Sequence, residues 1–135
     1  MADELGWPVE EIPDADSVFM RAHREYFREG ALQDGVFQDR GGMSVNWDKY
    51  ASAETTKNQA RGRPEDNAVI SMPVIGIRQI DDLRVEHRPD MDTPNRAHSD
   101  VFGLPQKGEQ LTKLRFLLGR IATIVIPLAR LLDSK

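Results

Sequence analysis

Residues 68–80, AVISMPVIGIRQI, carry the strongest strand signal in the chain and decide its fold class. The run is rich in Val and Ile, whose branched side chains pack well on the pleated surface of a sheet. Pro73 cannot donate a hydrogen bond to a neighbouring strand, so we expect a sheet edge or a bulge at that position. Asp81 and Asp82 then predict a turn that leads into the next strand.

Further strands are predicted on both sides of this run. Residues 83–87, LRVEH, alternate, which places Leu83, Val85 and His87 on one face of a strand. Residues 96–102, RAHSDVF, predict a last strand. Two short candidates, VFQ at 36–38 and MSV at 43–45, lie on either side of a glycine-containing loop. Strands this close together along the chain favour a mainly antiparallel sheet.

Two amphipathic helices are expected to pack on that sheet. Residues 14–30 offer Asp14, Asp16 and Ser17 as N-caps and Gly30 as a C-terminal glycine. One helical arc there collects the apolar and aromatic residues, which are Phe19, Ala22, His23, Tyr26 and Phe27. Between residues 46 and 62, either two capped turns or a short polar helix is predicted, with Asn46 and Ser52 as possible caps.

A long C-terminal helix is predicted from about residue 108 to 133, with a kink near Pro127. Its leucines and isoleucines share one arc, while Phe116 and Ile126 lie outside it and suggest a surface for a partner. Arg115, Arg120 and Arg130 interrupt the segment, so it lacks the roughly 18 uncharged residues of a membrane span.

The length indicates one domain, at residues 14–135, behind an acidic extended arm at 1–13. The order of elements, which is helix, strands, polar helix, strands and long helix, indicates the α+β class. The chain has 135 residues and no cysteine, which excludes disulfides and thiolate chemistry. The net charge of −4 does not favour nucleic acid as a partner. The start, MADELGW, lacks the basic and apolar regions of a secretory signal, so we expect a cytoplasmic protein.

The segment PNRAHSDVFG, residues 94–103, is the best candidate for a functional site. On a strand, Arg96, His98 and Asp100 would share one face, where the carboxylate could orient the imidazole. A guanidinium beside an imidazole suits a phosphate-bearing ligand. The alternative is a solvated edge strand whose polar residues only cap a turn. His23, on the first helix, is either a buried core residue or part of a site.

A second candidate segment is MSVNWDKY, residues 43–50. Ser44 could be a nucleophile with His98 as its base, provided that folding brings them within hydrogen-bond distance. Trp47 and Tyr50 could stack on a base or a nicotinamide ring, although such aromatics also anchor polar segments to cores. We add His87 to the ligand-binding residues and expect one shared pocket. No cofactor can be named from the sequence.

A metal site is a further alternative. The five possible ligands have no recognisable metal-binding spacing, so none is assigned to a metal; they are His87, Asp90, Asp92, His98 and Asp100.

Two functional hypotheses follow from these residues. In the first, the pocket binds or processes NAD, a nucleotide or a nucleic-acid end, with His98 as general acid or base and Arg96 stabilising charge. In the second, the protein is a noncatalytic interaction or oligomerisation protein that uses its C-terminal helix, with Phe116 and Ile126 at the interface.

Three segments carry a resemblance to known proteins: FMRAH at 19–23, GMSVNWDKYASAE at 42–54, and VEHRPD with NRAHSDVFG between 85 and 103. Together they resemble a group of short, uncharacterised bacterial proteins, which implies a bacterial origin and no particular activity. In order alone, FMRAH, GMSVNW and Glu86 also resemble the ADP-ribosyltransferase-like folds, in which an Arg or His, then a Ser or Tyr, then a Glu lie on successive strands. This sequence departs from the second resemblance in two ways: the segment 14–30 is predicted to be helical, and no Glu sits in a recognisable loop pattern.

Overall fold

The computed structural model describes residues 6–128, which form an α+β fold, as predicted. Within this part of the chain there are three helices, α1 Ala53–Asn58, α2 Val74–Arg78 and α3 Glu109–Ile121. The strands are β1 Ser17–His23, β2 Phe27–Arg28, β3 Ala31–Leu32, β4 Met43–Trp47, β5 Asn67–Pro73, β6 Arg84–His87, β7 His98–Phe102 and β8 Thr123–Ile126.

Six of these strands form one antiparallel sheet in the order β6-β7-β4-β1-β5-β8, and β2 and β3 form a separate hairpin. Directly paired residues lie on the same face of a sheet, and successive residues on opposite faces. Phe19 pairs with Asn46, and Asn46 pairs with His98, so these three share what we call the front face. Val18 pairs with Trp47 on the opposite, back face.

The back face packs against α2 and α3 and forms the hydrophobic core. The residues of β1, β4, β5, β6 and β7 that point to it are almost fully buried, as are Leu111, Leu114 and Leu118 of α3. Full burial of one such aliphatic side chain stabilises the fold by about 1.5–3 kcal/mol. The sheet is therefore fixed mainly from its back, and its front is free to carry polar groups.

Helix α1 covers part of the front face. The Ser52 hydroxyl accepts a hydrogen bond from the Thr55 backbone N–H, so the predicted Ser52 cap is confirmed. Arg21 on β1 donates to the carbonyl of the buried Thr56 at 2.9 Å, and Lys57 donates to the Asn67 carbonyl at 2.9 Å. These bonds tie the polar helix to the central strands.

The predicted N-terminal helix is wrong, because residues 17–23 form the central strand β1. Val18, Met20 and Ala22 are buried and the residues between them are partly exposed, so the burial repeats every two residues. The same segment also fits the helical pattern, and its pairing with β4 and β5 makes it a strand rather than a helix. Gly30, expected as a helix end, instead forms the turn of the β2–β3 hairpin with a φ of 84°.

The C-terminal helix is present but ends at Ile121, well before the predicted residue 133. The next segment, Thr123–Ile126, is four β-branched residues in a row and forms the edge strand β8 on β5. Pro127 follows this strand, so it kinks no helix in the described residues. The predicted end of the helix, residues 129–133, lies outside the described residues.

Residues 68–80 are strand only in their first half. Pro73 ends β5, and the chain continues as helix α2. β5 lies between β1 and β8, so the expected edge position is wrong, and the irregularity in pairing occurs at Val69 and Ile70 instead. The candidate strand at 36–38 is also wrong, since Asp34–Val36 form a 3-10 turn. Residues 6–13 form neither helix nor strand, and Ile12 is buried in the core.

Candidate functional site

A cavity of about 730 Å³ opens on the front face, and we call it the front pocket. Its polar lining comes from strands β1, β4, β5 and β7, from α1 with the loop that follows it, and from the loop before β7, which includes Asp90 and Asn95. The residues that matter for its chemistry are Arg21, His23, Ser44, Asn46, Arg61 and His98. A cavity of this size is typical of sites for small molecules and cofactors.

The structure brings the two predicted catalytic residues, Ser44 and His98, together. The Nε2 atom of His98 lies 3.3 Å from the Ser44 hydroxyl oxygen, and its Nδ1 atom lies 2.8 Å from the carbonyl oxygen of Arg88. A carbonyl only accepts hydrogen bonds, so Nδ1 carries the proton of the neutral ring, and Nε2 of that neutral ring presents a lone pair to Ser44. This is the geometry of a general base beside a hydroxyl.

Asp100 lies next to this pair, but it does not orient the imidazole from behind as expected. Its carboxylate is 3.8 Å from Nε2 of His98, on the side of Ser44, while Nδ1 is held by the Arg88 carbonyl. Burial raises the pKa of Asp100, and the nearby charges of His98 and Arg88 oppose that rise. Asp100 is therefore a neighbouring acid rather than the group that fixes the tautomer.

Two arginines on the front pocket have no carboxylate partner. Within residues 6–128, no Asp or Glu oxygen lies within 4 Å of the guanidinium of Arg21 or of Arg61. Burial, and then the positive charge of Arg61, lower the pKa of Arg21. Two like charges in one cavity repel each other, and a bound anion would remove that repulsion.

His23 also lines the front pocket, which places it with the site rather than in the core. Its Nδ1 atom accepts a hydrogen bond from the backbone N–H of Glu25 at 3.0 Å. The proton of the neutral ring is then on Nε2, which is a donor. Arg21 and His23 lie two residues apart on β1 and so share its front face.

The other predicted ligand-binding residues form a separate cluster, which we call the back cluster. Trp47 and His87 pack edge to face with centroids 5.0 Å apart, and the Arg96 guanidinium lies 4.2 Å from the centre of the Tyr50 ring. His87 is 1% exposed. The sheet therefore separates these four residues from Ser44 and His98.

Glu10, from the N-terminal segment, closes the back cluster. Its carboxylate accepts from Lys49 at 2.8 Å and from the Tyr50 hydroxyl, and it lies 3.8 Å from Arg96. Its backbone N–H donates to Nδ1 of His87 at 3.0 Å. The hydrogen bonds from Lys49 and Tyr50 lower the pKa of Glu10. The cluster holds the acidic arm against the sheet.

The expectation of one shared pocket is therefore wrong. Trp47 immediately follows Asn46 on β4, so its side chain points to the face opposite Asn46 and His98. Arg96 precedes β7 and turns toward Glu10 instead of sharing the face of His98. The sequence analysis missed Arg21 and Arg61 as site residues, and Arg21 would have been found by treating FMRAH as a strand.

Neither a metal centre nor a membrane helix is found in the part of the chain that the structure describes. No group of three or more His, Cys, Asp or Glu residues between 6 and 128 is arranged to hold a metal ion. No helix in the same residues has the length and apolar character needed to cross a bilayer.

No protein-family model, curated protein or solved structure matches this chain. The site is therefore interpreted from its own geometry.

Proposed function

We propose that this is a bacterial cytoplasmic protein whose front pocket binds a phosphate-bearing ligand, such as NAD, a nucleotide or a nucleic-acid end. The observation that carries the proposal is the pair Arg21 and Arg61, which line one cavity with no carboxylate within 4 Å among residues 6–128. Guanidinium groups bind phosphate oxygens through paired hydrogen bonds, and such charge-assisted bonds are the strong ones.

The hydrogen-bond polarity of the pocket supports an anion. Arg21 uses one nitrogen for the Thr56 carbonyl and retains its other donors. His23 has its free proton on Nε2, as its contact with the Glu25 backbone requires. Phosphate oxygens accept hydrogen bonds, so the donors of Arg21, Arg61 and His23 match them.

The resemblance to ADP-ribosyltransferase-like folds supports NAD among the candidate ligands. It places an Arg or His on an early strand and a Ser on a second, and here Arg21 and His23 lie on β1 and Ser44 on β4. The helix that departed from this pattern is absent. Glu86 still departs from it, because this residue is exposed on the edge strand β6 and does not line the pocket.

We propose His98 as the residue that exchanges a proton with the bound ligand. The Arg88 carbonyl holds the imidazole so that Nε2 faces Ser44 and the pocket. An imidazole held in this way can pass a proton to or from a bound group. Ser44 then either positions the ligand or acts as the nucleophile.

Calorimetric titration with NAD, ADP-ribose, AMP and pyrophosphate tests the binding proposal. The Arg61→Gln variant is expected to bind its ligand about tenfold or more weakly, since a charge-assisted hydrogen bond is lost. Arg63→Gln is the matched control, because Arg63 is exposed and paired with Glu65. Equal affinities of wild type and Arg61→Gln, or no binding of any phosphate compound, would refute the proposal.

A second pair of variants, one in the front pocket and one in the back cluster, distinguishes the two as places for the ligand in the same titration. His98→Ala is expected to change ligand binding or turnover, whereas Arg96→Ala, on the far side of the sheet, is expected to leave both unchanged. A loss of binding in Arg96→Ala with its stability intact would place the ligand in the back cluster instead.

An oligomeric interaction protein is the second candidate, and the two edges of the main sheet favour it. At one edge, β6 carries charged Arg84 and Glu86. At the other, β8 is uncharged, with Ile124 43% and Val125 42% exposed, beside Phe116 on α3. Natural sheets protect free edges with charge, so an uncharged edge suits pairing with a second copy.

Sedimentation analysis over a range of concentrations tests this second candidate. Association that disappears in Val125→Lys, and in the double change of Phe116 and Ile126 to Ser, is the expected result. A chain that stays monomeric at high concentration contradicts it.

A further inference from the structure

Four side chains of the front pocket form one hydrogen-bond network that the proposed phosphate site does not use. They are Asn46 of β4, Thr56 of α1, Gln59 just after α1, and Asn95 of the loop before β7. Three of the four carry amides, whose oxygen accepts and whose nitrogen donates.

The direction of the bonds is fixed at one end by a backbone donor. The oxygen and nitrogen of a side-chain amide have nearly the same shape, so their assignment must come from partners of known polarity. The Ala97 backbone N–H donates to the Asn95 Oδ1 atom at 3.1 Å. Asn95 Nδ2 is therefore the atom that donates to Asn46 Oδ1, at 2.7 Å.

The other end is fixed by a backbone acceptor. The Thr56 hydroxyl donates its only proton to the Ser52 carbonyl at 2.9 Å, so it can only accept from Asn46. Asn46 Nδ2 donates both to Thr56 Oγ1, at 3.0 Å, and to Gln59 Oε1, at 2.8 Å. Asn46 is 4% exposed, and turning its amide over would leave buried donors facing each other.

These constraints leave Gln59 with one free function. Its oxygen accepts from Asn46 and, at 3.4 Å, from Asn95. Its amide nitrogen, with two hydrogens, forms no hydrogen bond to any residue between 6 and 128, in a side chain that lines the pocket. Gln59 can thus offer a donor to a ligand, but its acceptor is already occupied.

We propose that Gln59 recognises the uncharged end of the ligand by donating to a carbonyl oxygen, so that the front pocket prefers nucleotides with an oxo group on the base over their amino counterparts. This rests on the phosphate-binding function proposed above and names the ligand class of the same pocket. An oxo group can accept from the Gln59 nitrogen, whereas an amino group in the same place would set two donors against each other.

Matched pairs of nucleotides test the proposal. IMP and AMP differ at the exocyclic position of a purine, and UMP and CMP differ at that of a pyrimidine, while each pair carries the same phosphate. Calorimetric titration of the wild-type chain is expected to show about fivefold tighter binding of the oxo member in at least one pair, the size of one neutral hydrogen bond.

The Gln59→Glu variant sharpens the test, because it exchanges the free donor for an acceptor. One carboxylate oxygen can still accept from Asn46, and the other faces the pocket. The added charge weakens both members of a pair alike, so the ratio of their affinities is the quantity to compare. That ratio is expected to invert toward the amino member, and Gln79→Glu, outside this pocket, should leave it unchanged.

The outcomes separate this inference from the proposed function. Equal binding of both members by the wild-type chain, or a ratio unmoved by Gln59→Glu, overturns the role of Gln59 and leaves the phosphate site standing. Failure of all four nucleotides, NAD and pyrophosphate to bind overturns the phosphate site and this inference with it.

Discussion

The two faces of the main sheet carry similar residue types, but their polar groups are hydrogen-bonded within the protein on the back face and face a cavity on the front face. The back cluster holds a histidine and an arginine beside two aromatic rings, and its polar groups are largely bonded within the protein. His87 uses both ring nitrogens, with the Glu10 N–H and the Arg96 carbonyl, and the Trp47 indole N–H donates to Asp16 at 2.9 Å. The Nε atom of Arg96 is an exception, since it is buried and has no hydrogen-bond partner among residues 6–128.

The front pocket holds the same residue types with their functional atoms facing a cavity. Arg21 and Arg61 have no carboxylate within 4 Å in residues 6–128, and the Nε2 atom of His98 faces Ser44. The comparison teaches that residue type alone does not identify a site. Groups whose hydrogen bonds are completed inside the protein stabilise it, and groups left free at a cavity are available to a ligand.

Of the changes considered, Trp47→Ala should lower the stability of the protein most, because Trp47 lies at the centre of the back cluster. The indole is 1% exposed and packs against His87 and Tyr50, so its loss leaves a large cavity. The free energy of unfolding is expected to fall by about 3–5 kcal/mol in urea titrations. Trp7→Ala is the control, because Trp7 is only partly buried and should cost clearly less. Similar losses in both variants would contradict a structural role for the back cluster.

A matched pair of histidine variants gives the next effect. His87→Ala removes two hydrogen bonds from a buried ring and leaves the Arg96 carbonyl unpaired, so we expect a loss of about 2–3 kcal/mol. His98→Ala should cost less than about 1 kcal/mol, because its ring is partly exposed beside the pocket. Urea unfolding of the two variants side by side measures the difference. Equal losses would remove the distinction between the two faces.

The sequence predicts much of the sheet, because its strands carry their own local signal. The alternation of Leu83, Val85 and His87 correctly placed these residues on the buried side of β6. The class α+β and the presence of a C-terminal helix followed from the same kind of pattern. The central strand was missed because 17–23 fits two periods, and only its two neighbouring strands favour one of them.

The site was partly predictable for a related reason. Ser44 and His98 were named as a pair on condition that folding brings them together, and the antiparallel pairing of β4 with β7 meets that condition. Trp47 was misplaced because the strand was predicted to end at residue 45, although it continues to Trp47 and alternation then turns this side chain away from Ser44. Arg96 was misplaced because β7 begins only at His98. The network around Gln59 depends on hydrogen bonds between residues up to 49 apart, which no local pattern encodes.

The stability of the back cluster should also depend on pH through Glu10. Its folded-state pKa lies below the ordinary value of 4.5, because Lys49 and Tyr50 donate to the carboxylate. The stabilisation is therefore fully present above about pH 4.5 and is lost as the pH falls through the lowered pKa. Urea unfolding at a series of pH values below 5 should show a weaker acid dependence for Glu10→Gln than for wild type. Identical profiles would mean that the arm is not held by this carboxylate.

The smallest effect on stability is expected for Arg61→Gln, the variant that is expected to weaken ligand binding most. Arg61→Gln should change the free energy of unfolding by no more than about 0.5 kcal/mol, since no carboxylate partner is lost and the repulsion that lowers the pKa of Arg21 is relieved. Arg96→Gln should cost about 1 kcal/mol, because it gives up its stacking on Tyr50 and its contact with Glu10. Thermal unfolding of both variants with and without the bound nucleotide measures two quantities for each arginine: its effect on stability and its effect on the stabilisation by the ligand. If Arg61 belongs to a ligand site, Arg61→Gln keeps its stability but its unfolding temperature no longer rises when the nucleotide is added. If Arg96 only stabilises the fold, Arg96→Gln is less stable but its unfolding temperature still rises with the nucleotide.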